Sequence, residues 1–225
     1  MWVKICANTN LEDARLAAEL GADAVGFVFA ESKRKVNSEQ VAAITRELPA
    51  GVEKVGVFTS TDADEILRAA KAAGLTAVQL HSDFYPDLVD AIVAGSKGIL
   101  RVLQVIDVPE DALPGDLESA LRATLAHPYV EAALLDASHG GASGGTGKTF
   151  DWDITAEIVR RVAGETGGKV IVAGGLCAGN VGEAINTFRP WGVDVASGVE
   201  AAPGKKGASK LREFIAAARE FKPAR

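Results

Sequence analysis

The chain alternates short, nearly continuous apolar runs with longer stretches in which apolar residues recur every three or four positions. The first pattern belongs to strands covered on both faces, the second to helices with one face on a core. Residues 3–6 predict a strand and 11–20 a helix, with Leu11, Ala14 and Ala18 on one face. Strand 24–29 precedes helix 38–48, which Ser38 is expected to cap. Strand 55–58 precedes helix 62–73, and strand 77–80 precedes helix 85–93. The second half repeats the order. Strand 99–106 leads through a connection containing Pro and Gly to helix 117–126, and strand 132–135 through a Gly-rich loop to helix 153–163. Strand 170–173 precedes helix 178–188, and strand 193–195 precedes helix 209–221.

Eight strand-then-helix units spaced by roughly 28 residues predict a (β/α)8, or TIM, barrel in the α/β class. Residues 1–225 are expected to form one such domain, since no linker or low-complexity tract interrupts the pattern. An open doubly wound sheet is the rival architecture. It usually carries a G-x-G-x-x-G turn after its first strand, and that turn here reads Ala7-Asn8-Thr9-Asn10.

Charge and cysteine content narrow the partners. The formal net charge is -6, and beyond Lys33-Arg34-Lys35 the basic clusters go no further than Lys205-Lys206. A nucleic-acid partner, which calls for a basic stripe, is not expected. An anionic ligand would have to be held by local amides and a few cations. Cys6 and Cys177 are far apart and outside any C-x-x-C pair, which fits a reducing compartment rather than a disulfide or zinc scaffold. Neither a signal peptide nor a membrane-spanning run is visible, so a cytoplasmic protein without a membrane partner is expected.

In a barrel, activity sits at the C-terminal rim, and residues i and i+2 of a strand share a face. Lys4 and Cys6 share one on the first strand, and Gln79 and His81 on the fourth. The sixth strand ends in Asp136, and the eighth carries Asp194 between two valines. Each has a plainer reading: Cys6 as a small buried residue, Asp136 as a turn cap, His81 as a satisfied rim histidine. Lys4 and Asp194 lie on strands that become neighbours when the barrel closes, and a buried ion pair is expected between them. Glycines add a sharper signal. Gly144-Gly145-Thr146-Gly147-Lys148 follows the sixth strand, Gly174-Gly175 the seventh and Ser197-Gly198 the eighth. Glycine lets backbone N–H groups approach a ligand, and loops after strands seven and eight commonly hold phosphate. A small phosphorylated substrate is therefore expected.

From Lys4 to Phe214 the chain resembles the phosphoribosylanthranilate isomerase family of tryptophan biosynthesis. The likeness is carried by Lys4-Ile5-Cys6, Ser32-Lys33-Arg34, Val55-Gly56-Val57-Phe58, Val78-Gln79-Leu80-His81 and Leu134-Leu135-Asp136. It continues through Gly144-Gly145-Thr146-Gly147, Gly174-Gly175-Leu176, Gly192-Val193-Asp194-Val195 and Ser197-Gly198-Val199-Glu200 with Pro203-Gly204. The resemblance implies an Amadori rearrangement of an N-phosphoribosyl anthranilate aminoaldose into its aminoketose, with Cys6 as general base at the sugar C2 and Asp136 as general acid at the ring oxygen. It implies that Arg34 holds the anthranilate carboxylate and that Gly145, Thr146, Gly147, Gly174, Gly175, Ser197 and Gly198 cradle the phosphate, while Gln79 and His81 face the substrate. An internal proton shift calls for neither metal nor cofactor. A monomer and a homodimer are both compatible with it.

The chain departs from the family pattern in four places. Ala7 stands where the family has glycine, Ser82 replaces a glycine, Ala196 replaces a serine, and 106–116 is longer than usual. Ala7 matters most, because a positive φ there would set a Cβ in a costly place beside Cys6. A related barrel isomerase acting on another phosphorylated sugar, and a non-catalytic phosphate-binding barrel, are the competing readings. Cys177 is expected to be structural.

Overall fold

The apolar runs become eight parallel strands: β1 (Trp2–Ile5), β2 (Ala24–Val28), β3 (Glu53–Phe58), β4 (Ala77–Leu80), β5 (Arg101–Asp107), β6 (Val130–Asp136), β7 (Val170–Ala173) and β8 (Gly192–Val195). They pair in chain order and close through β1 and β8, with Lys4 in register with Asp194. The computed structural model describes residues 1–109, 111–136 and 152–220.

Around the strands run α1 (Leu11–Glu19), α2 (Ser38–Thr45), α3 (Ala63–Ala73), α4 (Pro86–Gly95), α5 (Pro114–Leu125), α6 (Trp152–Thr166), α7 (Val181–Phe188) and α8 (Ala208–Glu220). The expected (β/α)8 architecture is the one observed. No helix among the described residues is long and apolar enough to cross a membrane.

The period-2 pleat splits the apolar residues into two cores. Ala24, Val55, Ala77, Leu103, Val105, Ala132, Leu134, Ile171 and Ala173 fill the barrel, with Trp2 and Trp191 against them. Those two indoles stack with ring centroids 5.0 Å apart. They lie at the N-terminal ends of β1 and β8, so the barrel floor is closed by aromatic surface. The alternate residues, Val3, Ile5, Val25 and Phe27 among them, face outward and meet the inner faces of the helices.

Several boundaries depart from the sequence expectation, each for a local reason. Asn37, not Ser38, caps α2: its side chain accepts from Gln40 N–H while Gln40 accepts from Asn37 N–H, a reciprocal capping box. α2 ends at Thr45 rather than 48. α5 begins at Pro114, ahead of the expected 117, because proline suits the first helical turn. α7 begins at Val181, since 178–180 turn under the Asn180 side chain. β5 runs from Arg101 to Asp107, leaving Ile99 exposed outside it. Residue 221, the expected end of the last helix, lies outside the described residues. The sequence reading also lacks a hairpin of β9 (Glu200–Ala202) and β10 (Lys205–Lys206), which follows a 3-10 turn at Ser197–Val199.

Candidate active site

Strand parity decides which side chains reach the mouth of the barrel. Trp2 faces the interior, so Lys4 on the same strand does too, and the same alternation carries to Cys6 just beyond its end. The same step carries Ala77 to Gln79 and His81, Val105 to Asp107, and Leu134 to Asp136. These residues come from four different strands and converge at the C-terminal rim.

Beneath the rim, Lys4 is fully buried, with Nζ 3.0 Å from Asp194 Oδ2. This is the ion pair expected from the sequence. The ammonium also donates to Gln79 Oε1 at 2.8 Å, so Gln79 holds Lys4 in place. Burial alone would lower the lysine; the Asp194 carboxylate, then Cys6, outweigh it and raise the group above its ordinary value. Asp194 Oδ1 has no hydrogen-bond partner among the described residues.

Cys6 sits one step above, 6% exposed, its N–H donating to the Val195 carbonyl at 2.8 Å. Room for the thiol comes from β2. A Cβ on Gly26 would lie 2.7 Å from Cys6 Sγ and 3.0 Å from Lys4 Cε, so one missing methyl accommodates both side chains. Burial pushes the thiol up, and the Lys4 ammonium is the strongest influence pulling it back, with Lys206 adding to it. The following residue, Ala7, is buried at φ 60°, the strained conformation anticipated for this departure.

Arg34, in the loop after β2, meets Glu200 in a two-point contact: Nε donates to Oε1 at 2.8 Å and Nη2 to Oε2 at 2.7 Å. This contact raises the guanidinium, and Arg34 with Lys206 holds Glu200 below its usual range despite burial. Lys206 Nζ donates to the Ala196 carbonyl at 3.0 Å and lies 3.5 Å from Glu200 Oε1. Elsewhere on the same rim His81 Nε2 lies 3.0 Å from Asp107 Oδ1, and this hydrogen bond raises the imidazole above free histidine. Asp136 is half-buried at the end of β6, in register with Asp107 on one side and Ala173 on the other.

The loops after β7 and β8 come together beside this mouth. Gly174 and Gly175 have φ of 82° and 65°, which turns the chain sharply off β7. A Cβ on Gly198 would stand 1.8 Å from the Leu176 carbonyl oxygen, so the two loops touch backbone to backbone there. Asn180 fastens the first loop, accepting from Cys177 N–H at 2.8 Å and donating to the Gly175 carbonyl at 3.1 Å. Ser197 and Gly198 occupy the 3-10 turn of the second. Gly145, Thr146 and Gly147 lie outside the described residues, as do Gly144 and Lys148.

Glu200, Lys206 and Asp107 belong to this constellation although sequence reading gave them no role. Asp107 was within reach, two positions beyond the inward Val105, but the expected strand stopped at 106. Lys206 was not, because nothing in Lys205-Lys206 tells which lysine is buried.

The sequence profile of the N-(5'phosphoribosyl)anthranilate (PRA) isomerase family matches residues 3–217. N-(5'-phosphoribosyl)anthranilate isomerase of Pelobacter propionicus is 44% identical over 219 residues, covering 97% of this chain and 95% of that protein. The crystal structure of phosphoribosyl anthranilate isomerase from Thermotoga maritima superposes with a TM-score of 0.84 at 38% identity, covering 98% of this chain and 100% of that one. A phosphoribosyl anthranilate isomerase in complex with reduced 1-(o-carboxyphenylamino)-1-deoxyribulose 5-phosphate superposes with a TM-score of 0.81 at 37% identity, with the same coverage.

Proposed function

The chain belongs to the phosphoribosylanthranilate isomerase family, and we propose on that premise how its residues share the work of the reaction. The enzyme converts N-(5'-phosphoribosyl)anthranilate to 1-(2-carboxyphenylamino)-1-deoxyribulose 5-phosphate by an Amadori rearrangement, a step of tryptophan biosynthesis. Asp136 delivers a proton to the furanose ring oxygen, which opens the ring to an imine. Cys6 takes the proton from C2, leaving an enolamine that ketonises to the aminoketose. Electrons move only within the substrate, and the two protein groups exchange protons alone.

The observation that carries this division is positional. Cys6 directly follows β1 and Asp136 ends β6, and continuing the strand parity turns both into the same mouth from separate sides of the closed barrel. Arg34 is poised to receive the anthranilate carboxylate, because Glu200 fixes its guanidinium through Nε and one face of Nη2 while other donors stay available. Gly174, Gly175, Ser197 and Gly198 offer backbone N–H groups to the phosphate; Gly145, Thr146 and Gly147, outside the described residues, are assigned to phosphate binding by the family motif alone. His81 faces the substrate, and Gln79 acts from beneath it through Lys4. A cytoplasmic location and a monomeric or homodimeric state belong to the same proposal.

Growth of a tryptophan auxotroph lacking this isomerase tests it. The chain is expected to restore growth, and Cys6→Ser or Asp136→Asn to abolish rescue. Undiminished rescue by either variant at matched expression would remove that residue from the mechanism.

A further inference from the structure

Cys6 stands among buried charges that do not cancel. Lys4 on β1 faces Asp194 on β8 at 3.0 Å. Arg34, in the loop after β2, faces Glu200 on β9 at 2.7 Å. Both carboxylates are then committed. Lys206 on β10 reaches the second of them only at 3.5 Å, with its side chain wholly buried and its shorter bond spent on the Ala196 carbonyl. Three cations thus face two carboxylates, and an uncompensated charge out of water is costly. Across the mouth stand Asp136, His81 and Asp107. His81 and Asp107 are paired with one another, and Asp136 bears on Asp194 and His81. Asp13 on α1 is a third buried carboxylate, but it is taken up by the Lys206 backbone N–H at 2.8 Å and by Lys205 Nζ at 3.4 Å. On the side of the Lys206 ammonium, the thiol of Cys6 is a further buried group that can become an anion: its N–H bonds the Val195 carbonyl, next in the chain to the Ala196 carbonyl that holds Lys206 Nζ.

We propose that Lys206 is a positioning residue for Cys6: its ammonium is the unbalanced charge of a buried ionic network, and the Cys6 thiolate is the anion that balances it. Lys4 is the stronger influence on the thiol, but Asp194 offsets part of it, and Lys206 adds a second charge with no carboxylate of its own. Burial works against both charges, raising the Cys6 thiol and lowering Lys206, and each group offsets part of that burial for the other. Burial drags Lys206 below the ordinary lysine range while Glu200, then Cys6, pulls it back, and Lys206 in turn favours the ionised thiol. The hairpin of β9 and β10 thereby connects three tasks. The Lys206 ammonium acts on the base through space, Glu200 fixes Arg34, and the Lys206 bond to the Ala196 carbonyl holds the residue before Ser197-Gly198. The consequence for turnover rests on Cys6 being the base; the ionisation itself is a property of the free protein.

The test follows the ultraviolet absorbance of the thiolate against pH in protein carrying Cys177→Ala, where Cys6 is the remaining thiol. Lys206→Met is expected to raise the midpoint by about one pH unit or more, and Lys206→Arg to keep it within about half a unit. Glu200→Gln, which leaves the cations less compensated, is expected to lower it. The acid limb of kcat/KM should move with the midpoint in Lys206→Met. An unchanged midpoint in Lys206→Met, or an upward shift in Glu200→Gln, would overturn the proposal. Should Lys206→Met not fold, the downward shift in Glu200→Gln decides alone. If Cys6→Ser keeps full turnover while Lys206→Met still shifts the thiol, the base assignment falls and the network stands.

Discussion

Ala7 occupies a backbone conformation that L-residues avoid, at φ 60° in a buried position directly after Cys6. A Cβ there costs on the order of 1 kcal/mol, and the chain tolerates it because Asn8 pins the turn. The Asn8 amide donates to the carbonyls of Ile5 at 2.7 Å and Gly26 at 3.2 Å, and its backbone N–H to Gly26 at 2.8 Å. Ala7→Val, which adds a β-branch to this conformation, is expected to lower the unfolding free energy by about 2 kcal/mol or more. Ala7→Gly should raise it by about 0.5–1 kcal/mol. Urea denaturation measures both, and a Val variant as stable as wild type would show that the turn is not strained. At this scale much was legible. Lys4 and Asp194 announce themselves as lone charges within apolar strands, and closure alone makes them neighbours. Glu200 and Lys206 did not, since a short hairpin after the last strand has no periodicity from which burial can be read.

The elements themselves follow from apolar period, and their order from right-handed β/α succession. Their ends do not, because caps depend on which of two adjacent polar residues bonds the first turn. Asn37 wins over Ser38 by exchanging hydrogen bonds with Gln40. The loops after β7 and β8 meet backbone to backbone at Gly198. Since a methyl there would overlap the Leu176 carbonyl at 1.8 Å, Gly198→Ala must push the two loops apart. If these loops hold phosphate, steady-state kinetics should show KM rising about tenfold or more, a loss of roughly 1.4 kcal/mol in binding, with a smaller change in kcat. An unaltered KM would place the phosphate elsewhere. The glycines at 174–175 and 198 were visible in the sequence as clusters; that two of those clusters touch was not, because it depends on how β7 and β8 are spaced.

On the scale of the molecule, the seam between β1 and β8 closes the barrel and also carries the buried Lys4–Asp194 ion pair. Removing one partner leaves a charge in an apolar interior. Lys4→Met and Asp194→Leu are each expected to cost about 3–5 kcal/mol, and the same two substitutions combined much less than their sum. Chemical denaturation of the three proteins gives the coupling, and additive losses would show the pair to be independent charges. Net charge works against an anionic substrate, at -6 over the whole chain. Under the proposed function, attraction is local, from Arg34, Lys206 and the loop amides. The barrel itself was legible because it needs only repetition. The convergence of Cys6 with Asp136 was legible only on condition that the barrel closes, which the pairing of β1 with β8 now supplies. The most direct test of that convergence is the turnover of N-(5'-phosphoribosyl)anthranilate by purified wild type, Cys6→Ser and Asp136→Asn. Each substitution should lower kcat by about 10²–10⁴ while KM stays within a few-fold, as befits groups that move protons in the transition state. A variant of either residue that binds and turns over substrate at the wild-type rate would contradict the assignment.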